Sequence, residues 1–315
     1  MTGFRACFLA LAFCAGCETI IDLDAPDYDL EVVVTSTFTP DSLWSASVHR
    51  SAGIDARQDV KLQFVDDATV VILTGDDIVD RLIYAGEGRY ASVAGLRPVA
   101  GTQYTLRLET AGASRVEAVS TAPTPTPITD ASLRLVSAGR HILDGDLYEL
   151  TFHISDPAGT NWYRFGVYRY AAGNYYNAPD SVYRYLDLDT GEPSWYCGFR
   201  EAHEPVPESS ESNATCLDPV LTDRLFDGQL YTLKATMRLT RSSDALGGSG
   251  QHGRNEVLVL LSTLSEDYFE YQRTVEDQTY GDPFAEPVHI YSNVKGGLGV
   301  FAGYSTTAVR VPIPP

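Results

Sequence analysis

Gly95-Leu96-Arg97-Pro98-Val99-Ala100-Gly101-Thr102-Gln103-Tyr104-Thr105-Leu106 is the stretch from which the fold can be read. Pro98 sets its own φ and lacks an N–H, Gly101 permits a tight reversal, and Tyr104, Leu106 and Leu108 then alternate with polar residues as one face of a strand. A Leu-x-Pro turn followed by glycine and a strand-leading tyrosine makes a corner in which the tyrosine hydroxyl bonds the backbone upstream. An ordinary hairpin with a tyrosine in its strand is the alternative. Upstream the pattern is also β. Residues 30–38 are rich in Val and Thr, Trp44, Ala46 and Val48 alternate, and so do Val60, Leu62 and Phe64.

The corner resembles that of immunoglobulin-like and fibronectin-type sandwiches, and residues 28–122 have the length of one such domain. Thr121-Ala122-Pro123-Thr124-Pro125-Thr126-Pro127 follows as a semi-rigid extended connector. A larger β-sandwich is expected over residues 128–315. Tyr148, Leu150, Phe152 and Ile154 alternate strictly, residues 162–170 carry aromatics on both strand faces, and Tyr231, Leu233, Ala235, Met237 and Leu239 form a single apolar face. Residues 256–261 read as a buried strand. Residues 171–229 read as a long irregular excursion, of the kind that is usually functional or disordered. One helix is expected, over residues 265–277: Leu264, Tyr268, Tyr271 and Val275 recur at helical spacing behind a Ser265 N-cap, with Glu266 and Asp267 in the first turn. The fold class is therefore all-β with one packed helix.

Working outward to the start of the chain, Arg5 precedes a short apolar run at 8–13, too short to span a bilayer, and Ala15-Gly16 leads into Cys17. This reads as a lipoprotein signal peptide over residues 1–16, cut before Cys17, whose thiol and freed amine would carry acyl chains. One chain anchors marginally, at roughly 0.8 kcal/mol per buried methylene, and two or three anchor firmly. Residues 17–27, which include Asp22-Leu23-Asp24, form an acidic tether. Anionic headgroups would repel it, holding the body off the membrane.

The chain has 315 residues and a formal charge of −19, which becomes −20 once Arg5 leaves with the leader. So acidic a surface repels phosphate, which excludes nucleic acid as a partner. The 3 Lys against 20 Arg and 26 Asp against 16 Glu fit either a salt-adapted extracellular surface or a GC-rich genome. Of five cysteines, Cys7 and Cys14 belong to the leader and Cys17 to the anchor. Cys197 and Cys216 remain, and in an exported chain they are a disulfide candidate closing a loop of about 20 residues, worth on the order of 3 kcal/mol. The alternative, a metal pair with His203, lacks two further ligands.

Signatures of catalysis are sparse. Gly296-Gly297-Leu298-Gly299 lacks the Lys-Ser/Thr and the following helix of a phosphate loop, so it is read as close strand packing or a bulge. The six histidines never pair at i, i+2 or i, i+4, and Gly248-Ser249-Gly250 is not a nucleophile elbow. Asp187 and Asp189, like Asp22 and Asp24, offer alternate carboxylates for calcium without the full loop pattern, and a solvated turn is the simpler reading. No cofactor or metal is called for. Tyr175, Tyr176, Trp195 and Tyr196 fall in the irregular excursion, where rings can stack on a sugar or peptide face, with Asp187 and Asp189 as polar rim. Capping their own domain's core is the other role open to these rings.

Three pieces together carry a family resemblance: Cys17-Glu18-Thr19-Ile20-Ile21-Asp22-Leu23, Ser265-Glu266-Asp267-Tyr268, and the ending Ser292-Asn293-Val294-Lys295-Gly296-Gly297-Leu298-Gly299-Val300-Phe301-Ala302-Gly303-Tyr304. The chain resembles a family of Bacteroidetes lipoproteins known as a domain of unknown function, whose members are encoded beside TonB-dependent outer-membrane receptors. The resemblance implies an outer-membrane, surface-exposed location and a role as accessory to such a receptor, and it supplies no catalytic residues. The expectation is a non-enzymatic, lipid-anchored protein that captures a glycan or peptide ligand or serves a TonB-dependent transporter. Two alternatives stand beside it: a surface hydrolase of polysaccharide or peptide using carboxylates, and a structural or adhesive envelope protein.

Overall fold

The computed structural model describes residues 30–52, 63–111, 115–140, 145–171, 182–185, 196–197, 219–239, 256–280 and 288–314. By contact the chain divides into two units, Met1–Leu30 with Ala52–Lys61, and Glu31–Ser51 with Leu62–Pro315. The second unit holds every strand described and the helix. In chain order these are β1 (Val32–Phe38), β2 (Ser45–Arg50), β3 (Gln63–Phe64), β4 (Thr69–Thr74), β5 (Asp77–Gly86), β6 (Arg89–Ser92), β7 (Gln103–Glu109), β8 (Val116–Thr121), β9 (Ile128–Ser137), β10 (Asp146–Ser155), β11 (Trp162–Ala171), β12 (Val182–Tyr185), β13 (Tyr196–Cys197), β14 (Pro219–Thr222), β15 (Leu230–Leu239), β16 (Glu256–Leu264), the helix α1 (Glu266–Tyr280) and β17 (Leu298–Pro312). Among the described residues the protein is all-β with one packed helix, and its sheets pack as sandwiches.

In the first sandwich the strands follow the path β17-β1-β2-β6-β5-β4-β7-β8. Alternation aims Val34, Trp44, Val48, Ile72, Leu106 and Val116 into one core. Burying each such side chain stabilises by about 1.5–3 kcal/mol. The predicted corner is present: Tyr104 is buried, and its hydroxyl accepts a hydrogen bond from the Val99 N–H at 2.8 Å. Its ring lies edge-on to Trp44 at 4.8 Å. Of the expected strand face Val60, Leu62, Phe64, the first two residues lie outside the described residues. Only Gln63–Phe64 is strand among its described residues, and Phe64, opposite His49, is 46% exposed. Period-two alternation cannot by itself say which face is inward.

In the second sandwich a sheet ordered β15-β10-β9 faces β13-β14-β11-β16 and the later half of β17. Leu150 and Phe152 on β10, Leu233 and Met237 on β15, Phe165 on β11 and Val259 on β16 meet in its core. Cross-strand pairing keeps these faces in phase, with Phe152 opposite Leu233 and Phe165 opposite Leu261. The excursion expected at 171–229 contains more regular structure than its composition suggested. β11 extends through Ala171 and pairs with β12, and β13 pairs with β14, which pairs with β11. Short strands interrupted by Pro and Gly give too few alternations to read locally.

Strand β17 belongs to both sandwiches. Leu298–Gly303 pairs parallel with β1, and Tyr304–Pro312 pairs antiparallel with β16. Residues 294–303, which the sequence reading assigns to the second domain, thus place Val294 and Phe301 in the first core. The glycine-rich ending is the close packing expected. A Cβ at Gly299, whose φ is +110°, would meet the Val34 carbonyl oxygen at 2.0 Å, and one at Gly303 would meet the Thr121 oxygen at 2.2 Å. Just upstream, Asn293 acts as a stand-in for a strand: its Oδ1 accepts from the Phe301 N–H at 3.0 Å and its Nδ2 donates to the Phe301 oxygen at 2.8 Å. The Lys295 and Glu117 backbones exchange hydrogen bonds, returning β8 to the same place.

Helix α1 lies over the outer side of these strands. Ser265 caps it as expected, accepting from the Tyr268 N–H at 3.2 Å, and the helix runs to Tyr280, three residues beyond the expected end. Phe269 and Tyr268 bury against Leu264, Val300 and Ala302. The connector before β9 is pinned: Thr126 is 3% exposed, its N–H donates to Thr263 Oγ1 at 3.1 Å, and its carbonyl accepts from Thr307 Oγ1 at 2.8 Å.

Candidate functional site

A close group of three carboxylates lies where β10 turns towards β11 and β14 leads to β15. Asp156, Asp223 and Asp227 bring carboxylate oxygens within 4.8 Å of one another. Asp156 and Asp223 are buried and Asp227 is exposed. Asp156-Pro157-Ala158-Gly159 is a turn by composition, and Asp223 opens a 3-10 turn through Leu225.

Each carboxylate accepts an N–H from the opposite loop. Asp156 Oδ2 accepts from Gly228 at 2.8 Å, Asp223 Oδ2 from Asn161 at 2.7 Å, and Asp227 Oδ1 from Gly159 at 2.8 Å. The Asn161 amide also donates to Asp223 Oδ2 at 3.0 Å and to the Pro157 and Gly159 carbonyls at 2.8 Å. The three acids therefore act as a clasp joining two loops whose backbone groups would otherwise lack partners. Beneath the clasp, Tyr163 donates its hydroxyl proton to Asp156 Oδ1. Thr263 Oγ1 donates to Thr126 Oγ1 at 3.1 Å, and Thr126 Oγ1 to the Tyr163 oxygen at 3.4 Å, so a line of buried hydroxyls points at the carboxylate.

Charge is costly here. Burial pushes the Asp156 carboxyl above its ordinary range, against the lowering effect of Tyr163 and Gly228. Burial also raises Asp223, opposed by Asn161 and reinforced by the charges of Asp156 and Asp227. The Tyr163 phenol is raised well above its ordinary value by burial and by Asp156. Chemically this is an oxygen-only cluster of hard donors whose mutual charge is relieved by protonation.

A second polar group ties the helix to the sandwiches. Asp267 accepts from Ser120 Oγ at 2.6 Å and from the Tyr291 hydroxyl at 2.8 Å. Arg164 donates to the Tyr268 hydroxyl at 3.1 Å, Tyr268 packs on Tyr304 with ring centroids 5.4 Å apart, and Trp162 stacks on Phe269 at 6.0 Å. The aromatics of β11 are thus covered on both faces where the helix lies. Burial raises the Tyr291 phenol well above its usual value, with Asp267 adding to the effect.

Cys17, Tyr175, Tyr176, Asp187, Asp189, Trp195, His203 and Cys216 lie outside the described residues. Tyr196 and Cys197 are placed only as the strand β13, opposite Val220 and Pro219, and no disulfide is seen among the described residues. His153 bonds Thr232 Oγ1 at 2.8 Å across β10 and β15, a strand role. Sequence reasoning saw Asp156 only as a turn residue and missed Asp223 and Asp227. Their one local signal is Asp227-Gly228, an ordinary turn dipeptide, and the third acid is 67 residues away along the chain.

No curated protein sequence matches the chain. Solved structures give distant likenesses. A mutant alpha-2-macroglobulin from Salmonella is 10% identical at a TM-score of 0.22, over 93% of this chain and 15% of that one. A membrane anchored protein from Corynebacterium diphtheriae is 10% identical at 0.23, over 91% and 60%. The BSP domain of a biofilm associated protein is 8% identical at 0.19, over 93% and 62%. The chain therefore spans between 15% and 62% of the lengths of these proteins, and none of the scores is high enough to argue from. The match that identifies the chain is to a sequence family, covering residues 18–310: this protein belongs to the family described as the domain of unknown function DUF4249.

Proposed function

We propose that this protein is a non-enzymatic lipoprotein of the outer membrane, held at the cell surface by acyl chains on Cys17, where it captures ligand for, or serves as accessory subunit of, a TonB-dependent transporter. The observation that supports this most is one of boundaries. The family match begins at residue 18, one residue after the cysteine that the leader pattern designates for lipidation. A lipidated Cys17 would be the first residue of the mature chain, and the family domain would begin at the next. The fold is compatible with the role: two β-sandwiches share one strand, an architecture that commonly presents binding loops on a rigid frame. The Bacteroidetes and transporter associations come from the family resemblance of the three quoted segments.

Labelled palmitate tests the anchor. Wild-type protein expressed in its native host incorporates the label, whereas Cys17→Ala does not. Equal labelling of Cys17→Ala would refute the anchor. For the transporter role, a β-barrel partner at stoichiometric amount is the expected companion after mild extraction.

A further inference from the structure

Two loops meet at one end of the first sandwich, 39–44 between β1 and β2 and 93–102 between β6 and β7. They present four aliphatic side chains to solvent: Leu43 at 43% exposed, Val93 at 67%, Leu96 at 41% and Val99 at 62%. The loops are joined. The Ser92 N–H donates to the Trp44 carbonyl at 2.9 Å, and Arg97 donates to the Asp41 carbonyl. Each is also braced internally, by Ser42 N–H to the Thr39 carbonyl at 3.1 Å and by Val99 N–H to the Tyr104 hydroxyl at 2.8 Å. Below them lie buried aromatic rings, with Phe38 and Trp44 at 5.0 Å and Phe38 and Phe301 at 4.5 Å. The apolar tip is therefore preorganised, and little conformational freedom is lost when it is covered.

We infer that this tip inserts into the interfacial region of a lipid bilayer. Within the two loops Asp41 and Arg97 are the only ionisable side chains, and they are of opposite sign, in a chain whose formal charge is −19. The tip is thus a net-neutral apolar point on an acidic molecule, suited to a zwitterionic lipid surface. Its side chains are Leu and Val, which are under-represented among the hot spots of protein interfaces, whereas Trp and Tyr dominate those. Aliphatic side chains on a rigid turn fit acyl chains, which demand neither shape nor hydrogen bonds. Leu225 and Leu230 are more exposed, at 72% and 69%, but they flank the acidic clasp and lack this neutrality.

A bilayer is close by on the anchored reading, from which this inference takes its proximity and nothing else. Fourteen Cα–Cα steps lead from Cys17 to Glu31, a reach of up to roughly 48 Å when extended. The tip lies at the far end of β1 from Glu31, and the seven residues of β1 span only about 23 Å. The tether is long enough for anchor and tip to engage one membrane together, when even weak insertion is reinforced by effective concentration.

The test uses residues 18–315, which contain every described strand and all three cores and carry no acyl chain, floated with phosphatidylcholine vesicles at millimolar lipid. The chain is expected to rise with the vesicles. Combined Leu43→Ser, Val93→Ser and Leu96→Ser lowers the partition coefficient at least about tenfold, while Leu225→Ser with Leu230→Ser leaves it unchanged. No flotation of the parent chain, or equal flotation of the triple variant, overturns the inference. A parent that sediments as a dimer, with the triple variant monomeric, also overturns it, by showing that the tip is covered by a second copy. Circular dichroism and urea midpoints confirm that the variants are folded. Because the acyl chain is absent, failure here leaves the palmitate test of the anchor untouched, and failure there leaves this one untouched.

Discussion

Replacing Gly299 with alanine tests how the two sandwiches are joined. Gly299 sits in the part of β17 that pairs with β1, opposite Val34, with φ at +110°. An alanine Cβ there would lie 2.0 Å from the Val34 carbonyl oxygen and 2.8 Å from its carbon. Both are backbone atoms of a paired strand, so no rotamer change relieves the overlap. The strands must separate by roughly 1 Å to restore contact near 3 Å. That movement costs about two ladder hydrogen bonds at about 1 kcal/mol each. The left-handed φ adds about 1 kcal/mol, and displacement of neighbouring Phe301 from the first core about 1 kcal/mol more. The expected loss is therefore about 4 kcal/mol, a large share of the 5–15 kcal/mol typical of a folded domain. Gly75→Ala is the control, since its φ is +59° but nothing lies within 4 Å of an added Cβ, so about 1 kcal/mol is expected. Urea unfolding followed by tryptophan fluorescence, with Trp44 buried in the first core, measures both. If the two variants prove equally stable to within about 0.5 kcal/mol, the error of the method, β17 is not held against β1 as the close approach requires.

Other substitutions probe the remaining joints. Tyr104→Phe removes the acceptor of the Val99 N–H and should destabilise by about 1 kcal/mol in the same urea assay; an unchanged midpoint would show the corner to be ornamental. Ser265→Ala removes both the helix cap and the acceptor of the Gly303 N–H and should lose about 1–2 kcal/mol, more than an isolated cap loss near 1. Asp156 and Asp223 have folded pKa values raised above the ordinary 3.8, so the folded state holds their protons more tightly than the unfolded state does. Their contribution to stability is fully present below pH 3.8 and is lost as pH rises through the raised values. Asp227→Asn, which removes a repelling charge but keeps an acceptor for Gly159, should stabilise by a few tenths of a kcal/mol at pH 7 and by nothing near pH 3.5. Thermal melts across pH 3–8 would show this, and a stabilisation that grows on acidification would contradict it.

The sequence made some parts of this fold legible and hid others, for physical reasons. The corner at Tyr104, the single face from Tyr231 to Leu239 and the capped helix after Ser265 are local patterns, fixed by spacing along one segment, and they stand as read. The glycines at 296–299 were legible as a place of close approach, but not as the point where β17 passes from one sandwich to the other, because strand sharing depends on a partner over 260 residues away. The strands within 171–229 were too short to show a period. The acidic clasp joins Asp156 to Asp223 and Asp227 through hydrogen bonds between two loops, and no spacing within either loop foretells that meeting. The aromatic residues proposed to bind ligand, Tyr175, Tyr176, Trp195 and Tyr196, came from composition alone.

The central claim is that the chain works at the membrane as companion to a transporter. Its most direct test is extraction of the native protein in mild detergent, affinity capture through a C-terminal tag, and mass identification of stoichiometric partners. One TonB-dependent β-barrel receptor at a ratio near unity, retained after washing, is the predicted result. A protein recovered alone, in full yield and folded, would contradict it.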